Sequence, residues 1–199
     1  YIFKIRMDLD TFLQERKSKG LAPITHTRIG YKHTPIIYGG SYSIPEKDMA
    51  LFYKLYHKKV FVDKKQEFLT EVQRKEGGPL LVDFDFRYDK DITTRQHTEG
   101  HLEDMVDLYL QEIESLLNLK ENTHFPVFVL EKDNVNTENL NYTKDGIHLI
   151  FGIHMDHTLQ LILRERIITN IGDILGDLPL TNEYEKVLDE GITKGHTNW

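Results

Sequence analysis

The octapeptide Leu80-Leu81-Val82-Asp83-Phe84-Asp85-Phe86-Arg87 constrains this chain more than any other segment. Side chains alternate across a strand, so Leu80, Val82, Phe84 and Phe86 share one face, which must be packed. Asp83, Asp85 and Arg87 share the other. Two carboxylates two residues apart on one face repel each other unless a cation lies between them. The chain has no Cys, so the available metal donors are oxygen-rich and suit Mg²⁺ or Mn²⁺. The charged solvent face of an edge strand would show the same alternation. Taken alone, a pair of this kind is also shared by polymerases, nucleases and nucleotide-sugar transferases.

A second alternating run, Lys144-Asp145-Gly146-Ile147-His148-Leu149-Ile150-Phe151, places Ile147, Leu149, Phe151 and Ile153 on a packed face. Lys144, Gly146 and His148 lie opposite. A cation, a residue without a side chain and an imidazole donor in line suit the cradling of a triphosphate. An ordinary surface histidine fits His148 equally well. Farther on, Val187-Leu188-Asp189-Glu190-Gly191 delivers a carboxylate near a turn.

The rest of the chain supplies a frame for these segments. Helices are expected over residues 8–19, from 46 to about 59, over 98–119 and over 157–175, with a capping-box spacing at Ser43 and Glu46. Strands are expected over 24–29, 68–73, 80–87, 125–130, 145–154 and 187–192. They alternate without a regular βαβ rhythm, which predicts an α+β fold. Hydrophobic residues make up 39% of the 199, enough for a buried core, which excludes wholesale disorder. No apolar run is long enough to span a bilayer. Residues 1–80 carry a net charge of +6 and residues 81–199 one of −13. The change coincides with the break Lys75-Glu76-Gly77-Gly78-Pro79. A basic N-terminal lobe (1–78) and a second lobe (79–199) follow, the first suited to phosphates and the second to cations. The absence of Cys fits a reducing compartment and excludes thiol catalysis. With no initiating Met and no polar tail, the chain is expected to be a fragment of a longer protein.

In order, these segments give an Asp-x-Asp strand, a small residue-x-His strand and an apolar-Asp turn. That order resembles the three motifs of the archaeo-eukaryotic primase (primase-polymerase) superfamily. The flanking segments Ile24-Thr25-His26-Thr27-Arg28-Ile29-Gly30, Gly39-Gly40-Ser41-Tyr42, Asp83-Phe84-Asp85-Phe86-Arg87, Asp145-Gly146-Ile147-His148 and Gly191-Ile192-Thr193-Lys194-Gly195-His196-Thr197-Asn198-Trp199 resemble the N-terminal primase domain of poxvirus-type primase-helicases of nucleocytoplasmic large DNA viruses. The resemblance runs from about residue 20 to the end. It implies an α+β primase fold: a mixed sheet with an RRM-like catalytic part and a smaller N-terminal lobe.

It also implies roles. Asp83, Asp85 and Asp189 would be the catalytic carboxylates and the ligands of two Mg²⁺ or Mn²⁺ ions. Lys144, His148 and Arg87 would meet the triphosphate of the incoming nucleotide. His26 and Arg28, on one face of their strand, would contact the template or its phosphates. Gly146 stands where the family commonly has Ser, so a hydroxyl contact is lost. Lys194 and His196 are the remaining candidates for basic contacts after the third motif. The implied reaction is DNA-templated primer synthesis from NTP or dNTP. The implied partners are a single-stranded DNA template, nucleoside triphosphates and a C-terminal helicase part of the same chain, with no membrane. The setting would be intracellular, at a viral replication site in the host cytoplasm or virus factory. A metal-dependent nucleotidyl or glycosyl transferase that uses only the Asp pair stays open, as does a non-catalytic nucleic-acid-binding module.

Overall fold

Among the described residues the apolar side chains collect in two cores, one in a unit that ends at residue 73 and one in a unit that begins at residue 74. The computed structural model describes residues 7–20, 22–33, 36–74 and 76–194. His196 lies outside them.

In the first unit, α1 (Leu9–Glu15) starts at Asp8, whose carboxylate accepts a hydrogen bond from the Thr11 N–H at 2.8 Å. It stops at Glu15, short of the expected 19. The Ser18 N–H there turns to the Ser41 carbonyl at 2.8 Å, and the chain runs on beside Tyr42. Strands β1 (His26–Arg28), β2 (Gly40–Tyr42) and β3 (Leu69–Glu71) form an antiparallel sheet in the order β2-β1-β3. Helix α2 (Met49–His57) follows a single 3₁₀ turn and runs into a π turn over Lys58–Val62. The expected capping box does not form. The Ser43 hydroxyl donates instead to the Pro23 carbonyl at 2.7 Å, and α2 begins at Asp48 without a side-chain cap. Phe12, Leu13, Tyr42, Ile44 and Phe52 are the core.

His26 and Arg28 share a face of β1 as expected, but that face is the packed one. Their residual exposures are 3% and 6%. The His26 ring lies 4.7 Å from that of Phe52, and burial pushes its pKa down. The Arg28 guanidinium donates Nε to Glu67 Oε1 at 2.7 Å and Nη2 to Asp10 Oδ1 at 2.6 Å, with a further bond to Glu67 Oε2. Lys59 Nζ adds contacts to Glu67 and Asp10 at 2.9 and 3.0 Å. A template contact through Arg28 would have to compete with two carboxylates already holding it. The exposed cations of this unit are instead lysines, among them Lys17, Lys32, Lys54, Lys64 and Lys65.

The second unit is built on β4 (Gly78–Asp89), α3 (Glu99–Leu116), β5 (Val127–Glu131), β6 (Tyr142–Met155) and α4 (His157–Asn170). Three short helices follow: α5 (Gly172–Leu175), α6 (Tyr184–Val187) and α7 (Glu190–Thr193). The expected helix 157–175 is broken at Ile171 into α4 and α5. The sheet order is β4-β6-β5, every pair antiparallel, where a mixed sheet was expected. Phe84, Phe86 and Tyr88 from β4, and Ile147, Leu149 and Phe151 from β6, have no exposure and pack against α3 and α4 through Tyr109, Ile113, Leu163 and Ile167. Gly77, at φ 113°, enters β4 where an added Cβ would lie 2.4 Å from the Met155 carbonyl oxygen, so a side chain has no room there.

The expected final strand over 187–192 does not form either. Among the described residues the returning chain forms two single bridges with β4, Tyr88 to Leu180 and Phe84 to Leu188, with α6 between them. The element order is nonetheless that of a β-α-β-β-α-β unit whose last strand lies beside its first, here reduced to two bridges.

The buried Glu67 carboxylate sets an acid sensitivity of this fold. Burial alone would push the Glu67 carboxyl up, but hydrogen bonds from Arg28, Lys59 and the Phe68 N–H outweigh it and hold its pKa below the usual value. Stability from a depressed carboxylate is in place above its unfolded pKa of about 4.3 and is lost as pH falls through the folded value. Glu67→Gln leaves Arg28 and Lys59 short of a buried counter-charge, so it should destabilise the chain by about 3 kcal/mol at pH 7. It should also flatten the loss of stability below pH 5. Urea melts of both proteins from pH 7 to 3.5 check this, and parallel curves would refute it.

Candidate active site

The antiparallel register between β4 and β6 assembles the site. Asp83 pairs with His148, Asp85 with Gly146, and Arg87 with Lys144, all on the face turned away from the core. Directly opposed Arg87 and Lys144 are like charges, and both side chains turn aside. Lys144 Nζ reaches Asp85 Oδ1 at 2.7 Å, and the Arg87 guanidinium lies 5.0 Å from the centre of the Tyr142 ring. His148 Nε2 lies 3.3 Å from Asp83 Oδ1. The two carboxylates are 20% and 26% exposed and Lys144 and His148 36% and 47%, so the cluster opens to solvent. Arg87 Nε is buried without a hydrogen-bond partner among the described residues.

Asp189 joins the cluster through its backbone. Its N–H donates to the Asp83 carbonyl at 3.0 Å, one position beyond the Phe84–Leu188 bridge. Its carboxylate is exposed and caps α7 by accepting from the Gly191 N–H at 2.9 Å. Asp83 and Asp189 line one small cleft with Leu81, Ile192 and Thr193. Sequence reasoning placed Asp189 on a strand; it sits instead at a helix start, yet in the neighbourhood expected of it. Lys194 is paired with Glu190 at 2.7 Å on the exposed side of α7.

Gly146 has a steric reason here. A Cβ at this position would lie 2.7 Å from the Phe84 carbonyl oxygen, so even the hydroxymethyl of Ser would force the two strands apart.

Three groups that sequence reasoning passed over hold these residues in place. The Asn182 side chain mimics a strand along the free edge of β4: its Nδ2 donates to the Asp85 carbonyl at 2.8 Å and its Oδ1 accepts from the Arg87 N–H at 3.0 Å. Arg164, buried on the inner side of α4, donates to the Leu188 carbonyl at 2.7 and 3.2 Å and to the Glu185 carbonyl at 2.8 Å, which anchors the turn that carries Asp189. Asp145, fully buried on the packed face, accepts from the Gly146 N–H at 2.9 Å and from Arg95 Nε at 3.1 Å. An arginine within the apolar stripe of a helix was a readable signal for Arg164. Nothing in the local sequence marks Asn182.

Among the described residues no three acidic or histidine side chains converge into a ready metal cage. The donor set still suits hard divalent cations: Asp83, Asp85 and Asp189 offer only oxygen, and His148 and Lys144 already sit against the first two.

Residues 32–199 match the family described as "C962R protein N-terminal AEP domain", where AEP denotes archaeo-eukaryotic primase. Over 173 residues the chain is 33% identical to a protein of Acanthamoeba polyphaga mimivirus named "Putative helicase L207/L206", covering 85% of this chain and 17% of that protein.

The Arg164 anchor carries a measurable load. Arg164→Met would leave the Leu188 and Glu185 carbonyls without their charged donor, at a cost of about 2 kcal/mol. Chemical denaturation of the variant should show that loss, and an unchanged midpoint would show that the anchor contributes nothing.

Proposed function

The chain belongs to the archaeo-eukaryotic primase family, and from that premise we propose that it synthesises primers on a single-stranded DNA template by nucleotidyl transfer from NTP or dNTP. The observation that carries the reading is the convergence of its three motifs: Asp83 pairs with His148 across two strands, and the Asp189 N–H bonds to the Asp83 carbonyl. A transferase using only the Asp83/Asp85 pair would have no use for His148 or Asp189 at that place.

In this reading Asp83, Asp85 and Asp189 hold two Mg²⁺ or Mn²⁺ ions, which supply activation of a 3′-hydroxyl and stabilisation of the leaving pyrophosphate. The carboxylates now shared with Lys144 and His148 then change partners. Lys144 moves its ammonium from Asp85 to a phosphate oxygen, and His148 turns its Nε2 from Asp83 to another. Arg87 adds positive charge on the same face. Charge developing on the phosphates is thus met by donors already held on a rigid sheet. No protein nucleophile is required. The basic first unit meets template phosphates with its exposed lysines, a role that the buried Arg28 and His26 are poorly placed to share. Because the chain spans 17% of its mimivirus relative, and that relative is named a helicase, we also place a helicase part after this domain in the same polypeptide. The setting proposed is a viral replication site inside the host cell.

A primer-synthesis assay with single-stranded template, Mn²⁺ and labelled nucleotides tests the reading. Asp83→Ala and Asp85→Ala should each abolish product. Stability should change by less than about 1 kcal/mol, since the pairs removed are partly exposed. Full activity in the double variant would eliminate the enzyme. A hydrogen bond to a charged phosphate is worth roughly 1.5–3 kcal/mol, so His148→Ala and Lys144→Ala should each raise the nucleotide requirement about 10- to 150-fold. Affinity for single-stranded DNA should hardly move. Overlaying nucleotide titrations of variant and parent would remove both residues from the triphosphate site.

A further inference from the structure

The face that carries the charged cluster does not end at β6. Leu130 of β5 pairs with His148, and Phe128 pairs with Ile150, so both β5 side chains project on the same side of the sheet as Asp83 and His148. The face is therefore ordered in rows. Asp85 and Gly146 form one, Asp83, His148 and Leu130 the next, and Leu81, Ile150 and Phe128 the one after. The polar rows give way within one step to an apolar one.

Leu81 is buried, but Phe128 is 55% exposed and Leu130 48% exposed. A large aromatic and a large aliphatic side chain thus stand in solvent beside a cationic, carboxylate-lined centre. An ordinary solvated sheet face would alternate to polar residues at those two positions. Strands lie about 4.8 Å apart and alternate residues about 6.8 Å apart along a strand, so Phe128 sits roughly 8 Å diagonally from His148.

We propose that Phe128 and Leu130 form a shelf on which the base of the incoming nucleotide stacks while its triphosphate meets Lys144 and His148. The occupant follows from continuity and charge. A ligand that spans the polar rows, where Lys144 and His148 stand, and the apolar row one step beyond His148 is anionic at one end and flat and apolar at the other. A base offers its π-face to an aromatic ring whatever its identity, so the shelf would hold any of the four without hydrogen-bond readout. This inference rests on the nucleotide-transfer reading of the same site, which it deepens by assigning the base end of the substrate.

The test compares a nucleoside triphosphate with inorganic tripolyphosphate, which has the charge but no base. Equilibrium binding of ATP and of tripolyphosphate is measured in Mg²⁺ at fixed ionic strength for the 199-residue chain and its Phe128→Ala, Phe128→Tyr and Leu130→Ala variants. Loss of a base-stacking side chain should weaken ATP binding by about 5- to 150-fold in Phe128→Ala. Tripolyphosphate binding should be unchanged, and Phe128→Tyr should retain the parent affinity for ATP. If the parent binds both ligands and Phe128→Ala binds ATP equally well, the shelf is wrong and the nucleotide reading stands. If the parent binds neither, both fall together. If Phe128→Ala alters the sedimentation of the chain and leaves ATP affinity alone, the face is a protein interface and the proposal is overturned.

Discussion

The antiparallel ladder between β4 and β6 is the constraint from which the rest of the site follows. Its register puts Asp83 beside His148 and Asp85 beside Gly146, and a slip of one residue would send all of them into the core. The slip is prevented from below. Phe84, Phe86, Ile147, Leu149 and Phe151 are fully buried against the helices, and none could turn outward without losing that burial. The reactive face is thus fixed by residues that take no part in chemistry.

The same ladder explains how the carboxylates remain close before any metal arrives. Asp83 and Asp85 repel each other, yet Lys144 and His148 stand on the neighbouring strand to offset that repulsion. On the proposed reading these side-chain contacts hold the places that metal and nucleotide would take. Asn182 and Arg164 keep the free edge of β4 and the Asp189 turn in position while those pairs exchange.

The sequence made some of this legible and hid the rest for physical reasons. Alternation over eight residues left one arrangement for β4 and one for β6, because only one face of each was apolar enough to bury. For β1 it established that His26 and Arg28 point the same way, but a three-residue strand does not say which way is in. The answer depended on Glu67, 39 positions from Arg28, whose carboxylate makes burial of the guanidinium tolerable. The region around Asp189 reads as a strand because Val187, Leu188 and Ile192 are β-formers; Leu188 does bridge Phe84, but helices on either side end the pairing there. Asn182 could not have been found, since a side-chain amide imitating a strand leaves no periodic trace.

On the proposed reading, Asp85 and Asp83 give up Lys144 and His148 and, with Asp189, take up divalent metal when substrate binds. A crystal structure of the chain grown with Mn²⁺ and a non-hydrolysable nucleoside triphosphate measures it directly. Anomalous scattering should place Mn²⁺ against Asp83, Asp85 and Asp189, with Lys144 Nζ moved from its 2.7 Å contact with Asp85 to a phosphate oxygen. Manganese bound elsewhere, with Lys144 still seated on Asp85, would contradict the account.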